Sequence, residues 1–154
     1  MSIFNRGRRP QASGREHAVK LVEQVLRTAG VDPAASRVPV QDGFGWRFTY
    51  GSAQVEVYIT TKQETDYLQV VCPVMYLPHH GLLAFYRRLL ELNMIVPNIR
   101  FGVYGDIVYL YAERTLAGLD LQETHEIIST LTRSADEYDN RLVAEFGGRL
   151  FLHV

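Results

Sequence analysis

The side chains able to do chemistry are few and scattered. Cys72 is the single cysteine. It falls in an alternating stretch (Leu68, Val70, Cys72, Val74) whose members share one face of a strand. A thiol there reads as a buried, inert core residue, because the sequence sets no histidine or acid beside it. His79 and His80 are adjacent, and neighbours on a helix splay about 100° apart, which keeps them from sharing one metal ion. His17, His125 and His153 add no cluster. Seven of the 17 carboxylates fall late in the chain on one helical stretch, where solvation accounts for them better than paired acid–base work. Gly43-Phe44-Gly45 leads into a strand rather than a helix, so it is no phosphate cradle. The expectation is a chain without catalytic residues, cofactor or metal.

The residues that do gather are tyrosines and arginines, and two β-hairpins place them. Residues 99–113 turn at Gly105-Asp106, a Gly-X pair suited to a two-residue hairpin turn that needs φ > 0 first. That turn sets Val103 opposite Val108, Phe101 opposite Leu110 and Ile99 opposite Ala112, so one face is apolar throughout. The reverse face pairs Tyr104 with Ile107, Gly102 with Tyr109 and Arg100 with Tyr111. A tyrosine opposite a glycine is expected to cover bare backbone, and an arginine opposite a tyrosine to stack on its ring. Residues 44–59 repeat the logic around Gly51-Ser52. Phe48 faces Val55, Trp46 faces Val57 and Phe44 faces Ile59. On the reverse, Arg47 faces Glu56 and Gly45 faces Tyr58. Tyr58, Arg100, Tyr109 and Tyr111 therefore share the outer sheet face, and Tyr and Arg are the types favoured at protein contacts. The run Arg100-Phe-Gly-Val-Tyr104 resembles an RNA-recognition strand only weakly, because Phe101 points to the core.

The remaining elements follow from periodicity. Residues 1–14 are Arg-rich and broken by Gly and Pro, and read as a flexible arm. Residues 15–29 form a helix through Ala18, Leu21, Val22, Val25 and Ala29, ended by Gly30. Residues 31–42, with Pro33 and Pro39, read as a connector, and residues 60–66 as a polar loop. A third strand covers 67–76, with Pro73 marking an end, an edge or a bulge. A helix over 78–94 carries Leu82, Phe85, Tyr86, Leu89 and Leu92 on one face, widened by Leu83 and Leu90. Such breadth predicts two buried sides, one on the sheet and one on a second copy, with Leu83, Tyr86, Leu89 and Leu90 at the dimer interface. The last helix opens at Asp120, with Glu123 completing a capping-box pattern, and stops at Gly147-Gly148. The order is α-β-β-β-α-β-β-α: an α+β domain over 15–147 with one five-stranded antiparallel sheet, followed by a tail at 148–154.

Composition narrows the partners. The chain has 154 residues, 47% hydrophobic and 21% charged, as in an ordinary globular domain. It has no run long enough to span a bilayer and no signal-peptide core, so a cytoplasmic address without membrane partners is expected. Charge is uneven. The first twenty residues hold Arg6, Arg8, Arg9, Arg15 and Lys20 against Glu16 alone, while the remainder is net acidic.

Phe85-Tyr86-Arg-Arg-Leu-Leu-Glu-Leu-Asn93, the 99–113 hairpin, Leu116-Ala-Gly-Leu-Asp120 and Ala135-Asp-Glu-Tyr-Asp139 followed by Phe146-Gly147 together resemble the YbjN domain family of bacterial sensory transduction regulators. That family is similar in fold to type III secretion chaperones, small α+β homodimers that hold a segment of a client. The resemblance implies a bacterial cytoplasmic dimer with a binding role, tied to stress responses and regulation, and no active site. The leading expectation is a homodimeric chaperone-like adaptor for a client protein. The alternative is nucleic-acid binding through the Arg-rich arm and the Tyr/Arg face, against which the net-acidic body argues.

Overall fold

The computed structural model describes residues 11–151, with side chains from Gly14 onward. Nine elements follow one another: α1 (Gln11–Thr28), β1 (Arg37–Val38), β2 (Phe44–Tyr50), β3 (Ala53–Lys62), β4 (Thr65–Tyr76), α2 (Leu82–Asn93), β5 (Arg100–Tyr104), β6 (Ile107–Thr115) and α3 (Leu121–Phe146). The strands form one sheet in the order β1-β2-β3-β4-β6-β5, antiparallel throughout. α3 packs on β4 and β6 and α1 lies beside α3, while α2 packs on β5. Between the helices and the sheet lie Trp46, Val55, Val57, Ile59, Leu68, Val70, Leu110, Leu26 and Leu131, all at most 1% exposed. Burial on that scale supplies the main drive to fold.

Both hairpins have the registers that their pair sorting predicts, Phe48↔Val55 and Trp46↔Val57 in one, Phe101↔Leu110 and Gly102↔Tyr109 in the other. Gly51 and Gly105 turn them with φ of 56° and 59°. A one-residue slip would turn each apolar set to solvent, which is what pins the pairing. Pro73 does mark a bulge, with the β4–β6 register shifting between Pro73 and Met75. Asp120 caps α3 by accepting the Glu123 N–H at 2.8 Å. The Glu123 carboxylate clamps Arg114 instead, at 2.7 and 2.8 Å.

The sheet has six strands, not the five expected, so the order gains a strand before β2. β1 lies in the stretch read as a connector. Two residues are too short to leave a period, and tertiary contacts hold them. The Arg37 guanidinium lies over the Trp46 ring at 4.6 Å and reaches Glu23 at 2.8 Å, and the Ser36 carbonyl accepts from the Arg47 N–H at 2.8 Å. The polar loop expected over 60–66 is mostly strand. Only Gln63 and Glu64 turn, both with positive φ and neither a glycine. α2 begins at Leu82, after a left-handed Gly81, rather than at residue 78. α1 begins at Gln11, so the last residues of the expected arm are helical; residues 1–10 lie outside the described residues. The tail also has a place. Tyr76 N–H donates to the Arg149 carbonyl and Phe151 N–H to the Val74 carbonyl, satisfying the end of β4 where β3 no longer reaches.

Candidate functional site

Across the face away from α1 and α3, the registers set Arg47, Glu56, Val71, Tyr111 and Arg100 in one row over five strands. A second row runs Gly45, Tyr58, Gln69, Glu113. Next to the first, on the other side, lies Pro73, Tyr109, Gly102. All four expected contact residues thus share one face, but not one site. Arg100, Tyr109 and Tyr111 line a single apolar groove of about 370 Å³ with Val71, Gly102 and Tyr104. Tyr58 stands apart on β3, its hydroxyl donating to Glu56 at 2.6 Å.

Most charges on this face neutralise each other. Arg47 meets Glu56 at 2.9 Å and Lys62 meets Glu113 at 2.7 Å. The same Glu113 oxygen accepts from Gln69 at 2.7 Å and from the Tyr111 hydroxyl. Burial pushes the Glu113 carboxyl upward, but the bonds from Lys62, Tyr111 and Gln69 together outweigh it and hold the group below its ordinary value. Burial, helped by the bond to Glu56, pushes Tyr58 up to about 12. Burial also raises Tyr109, and burial with the bond to Glu113 raises Tyr111. These phenols are therefore neutral donors at physiological pH. Arg100 differs from Arg47 and Lys62. Its guanidinium lies over the Tyr111 ring at 5.7 Å and, among the described residues, has no carboxylate partner.

The two Gly–Tyr pairs also differ. A Cβ built at Gly45 would lie 2.6 Å from Val40 Cγ2, 2.8 Å from Val38 Cγ2 and 3.1 Å from Tyr58 Cδ1, so the Tyr58 ring covers that backbone together with two valines. At Gly102 nothing lies within 4 Å, so Tyr109 leaves its glycine open. The expectation that both tyrosines cover their glycines holds for one only, and the open one is the notch in the groove.

A second surface lies on α2 and the two residues after it. Leu83, Leu90, Met94 and Ile95 are 67–88% exposed, and Leu82 and Tyr86 are each 38% exposed. Leu89 is not among them. It is 4% exposed and belongs to the protomer's own core beside Phe85 and Leu92, which corrects its placement at an outer interface. A larger cavity, about 770 Å³, opens between the 93–99 segment, the ends of β5 and β6, and α3. Its Arg114 and Glu123 are paired to each other, and Arg100 sits on its rim.

Catalytic alternatives gain nothing from the geometry. Cys72 is buried, and desolvation, then the charges of Asp139 and Glu56, push its thiol up to about 12. His79 and His80 are exposed, and the described residues hold no cluster of three metal-ligating side chains. No helix among them is long and apolar enough to cross a membrane.

Residues 16–154 match the family model of T3SS (YopN, CesT) and YbjN peptide-binding chaperone 1. The chain belongs to this family. Solved structures of similar fold include the ExsC–ExsE complex, with 16% identity, 83% of this chain and 95% of that chain covered, and a TM-score of 0.63. The HopA1–SchA chaperone–effector complex has 10% identity, 86% and 99% coverage and a TM-score of 0.60. The heterodimeric ExoU–SpcU complex from the type III secretion system of Pseudomonas aeruginosa has 16% identity, 80% and 96% coverage and a TM-score of 0.55. At these identities the likeness is one of fold. No curated protein matches the chain. The peptide-binding chaperone fold here is α+β, with three helices and a six-stranded antiparallel sheet. The family match also runs through the tail, which the resembling motifs had left out. Val71 and Tyr104, which the sequence places on the outer face but not among the contact residues, also line the groove. Their signal was present in the registers, since they flank the Arg100–Tyr111 and Gly102–Tyr109 pairs.

Proposed function

We propose that this protein is a non-catalytic, homodimeric adaptor that holds an extended segment of a partner protein on its outer sheet face. The observation that carries this reading is the groove of Arg100, Tyr109 and Tyr111 around the open Gly102. Membership of a peptide-binding chaperone family supports it, as does similarity to structures of chaperones in complex with effectors. The neutralised state of Arg47 and Lys62 counts against a polyanion on this face, because counterion release needs unpaired cations. The dimer reading rests on the α2 strip of Leu83, Tyr86 and Leu90, whose exposure is costly for a lone protomer. The resemblance to YbjN proteins supports a cytoplasmic setting in a bacterial stress or regulatory response.

The test is capture followed by reconstitution. A partner recovered with the tagged protein is purified, and its affinity is measured against Tyr109→Ala/Tyr111→Ala and against Leu83→Glu/Leu90→Glu. The reading expects the tyrosine pair to abolish binding and the leucine pair to yield folded monomers. Unchanged affinity in the tyrosine variant removes the sheet face, and an unchanged mass in the leucine variant removes the α2 dimer.

A further inference from the structure

We infer that the outer-face groove recognises a short segment bearing a bulky apolar side chain and a carboxylate two residues apart, the apolar group in the Gly102 notch and the carboxylate on Arg100. The inference rests on the adaptor reading above and gives its partner a chemistry.

Three observations carry it. The first is charge. Of the cations on this face, Arg47 and Lys62 already hold carboxylates at 2.9 and 2.7 Å. Arg100 is exposed and, among the described residues, has only the Tyr111 ring. Stacking occupies the plane of a guanidinium and leaves its N–H edge free, and that edge fits a carboxylate with two parallel hydrogen bonds. The second is shape. Gly102 is open where Gly45 is covered, and Val71, Tyr104, Tyr109 and Tyr111 make apolar walls around it. The third is spacing. Arg100 and Gly102 are two residues apart on one strand, so their positions on this face lie about 7 Å apart. Alternate side chains of an extended peptide have the same interval, so one face of such a segment meets both at once.

The mode of approach is also fixed. Asn93 already holds the backbone N–H and carbonyl of Phe101 on the outer edge of β5. A segment adding to that edge as a further strand would have to displace it. A segment lying over the face meets no such obstacle and finds the Tyr104 and Tyr109 hydroxyls beside the groove.

The experiment begins with a displayed library of random peptides panned on the full chain. Synthetic copies of the enriched peptides are then measured by fluorescence anisotropy. The inference expects enrichment of an apolar residue two positions from Asp or Glu. Arg100→Gln should weaken such peptides about tenfold, the cost of one charge-assisted pair. Arg100→Glu should reverse the preference, so that peptides with Lys in place of the acid bind better than the originals. Gly102→Val should weaken both sets tenfold or more. Valine suits a strand and meets open space there, so this variant keeps the wild-type melting curve.

Peptides that lose affinity with Gly102→Val and Tyr109→Ala but ignore both Arg100 changes would overturn the carboxylate while leaving the adaptor reading in place. Peptides indifferent to every one of these substitutions would overturn both. Rescue of the Lys peptides by Arg100→Glu is the outcome that only the proposed contact explains.

Discussion

The carboxamide of Asn93, at the end of α2, stands in for a strand beside Phe101. It accepts the Phe101 N–H at 2.6 Å and donates to the Phe101 carbonyl at 3.2 Å. Phe101 lies on β5, the last strand on its side of the sheet. An edge strand presents unpaired backbone groups that invite another chain, and proteins blunt such edges by covering them. Here one side chain does so at the second residue of a five-residue strand. The same pair of bonds ties α2 to the sheet, so the helix that carries the exposed leucines is anchored at its C-terminal end.

Asn93→Ala should therefore do two things. It leaves the Phe101 N–H and carbonyl without their partner, which costs about 1–3 kcal/mol. It also reopens the edge, so self-association should rise with concentration. Urea denaturation reads the first effect and sedimentation velocity the second. Wild-type values in both would mean that water replaces the carboxamide at no cost.

Neighbouring leucines on α2 should part company. Leu89→Ala removes a side chain that is 4% exposed and should cost about 2–5 kcal/mol in denaturant melts, because it opens a cavity beside Phe85. Leu83, 86% exposed, has no such role within the protomer. Leu83→Ala should change protomer stability by less than about 0.5 kcal/mol, while Leu83→Glu should shift the mass seen by light scattering. A large stability loss from Leu83→Ala at low protein concentration would place it in the protomer core instead.

The fate of these two leucines shows where the sequence was legible. The hairpin registers could be read because each pairing sorts residues by face, and only one register sorts them cleanly. A broadly apolar helix offers no such check. Leu82, Leu83, Phe85, Tyr86, Leu89, Leu90 and Leu92 cover most of its circumference, and packing against β5 and against Phe146 of α3 accompanies the inward turn of Phe85, Leu89 and Leu92. β1 and the Gln63-Glu64 turn were illegible for a different reason. The first is two residues long, and the second adopts positive φ without the glycine that would announce it. The groove was half legible. The registers bring Arg100, Tyr109 and Tyr111 to one place, but the packing that leaves Gly102 bare has no signature in the residue types.

The two hairpin glycines should respond unequally to alanine. Both have φ near +60°, where a Cβ costs about 1–2 kcal/mol. At Gly105 the added carbon meets nothing within 4 Å, so this strain is the whole effect. At Gly51 it would sit 2.6 Å from Asp136 Oδ1, on the helix that receives the turn. Ser52 donates to Asp139 at 2.8 Å and to Asp136 at 3.3 Å, and both contacts would have to shift. Gly51→Ala should therefore be the more destabilising by denaturant melts. In the Asp136→Ala background the difference between the two should shrink, a coupling that a double-mutant cycle measures. Equal losses in both backgrounds would show that the turn moves freely away from α3.

The Glu113 cluster should leave a mark on the acid limb of stability. Its carboxyl is held below the ordinary 4.5 in the folded chain, since Lys62, Tyr111 and Gln69 all donate to it against the opposing effect of burial. A carboxyl with a depressed folded pKa binds its proton more readily in the unfolded chain. Its contribution is therefore present in full above the unfolded pKa and is lost as pH falls through the folded one. Glu113→Gln removes the charge but keeps the shape. The stability gap between wild type and variant should be level near neutral pH and should close as pH drops below about 4.5. Because Lys62 is 52% exposed, solvent screens the pair and the gap at neutrality should be no more than about 1 kcal/mol. Salt should narrow it further, and equally in direction for Lys62→Met, which removes the same pair from its other end. A gap that persists unchanged into acid would mean that the carboxylate charge contributes nothing, and that Glu113 holds Tyr111 and Gln69 through hydrogen-bond geometry alone.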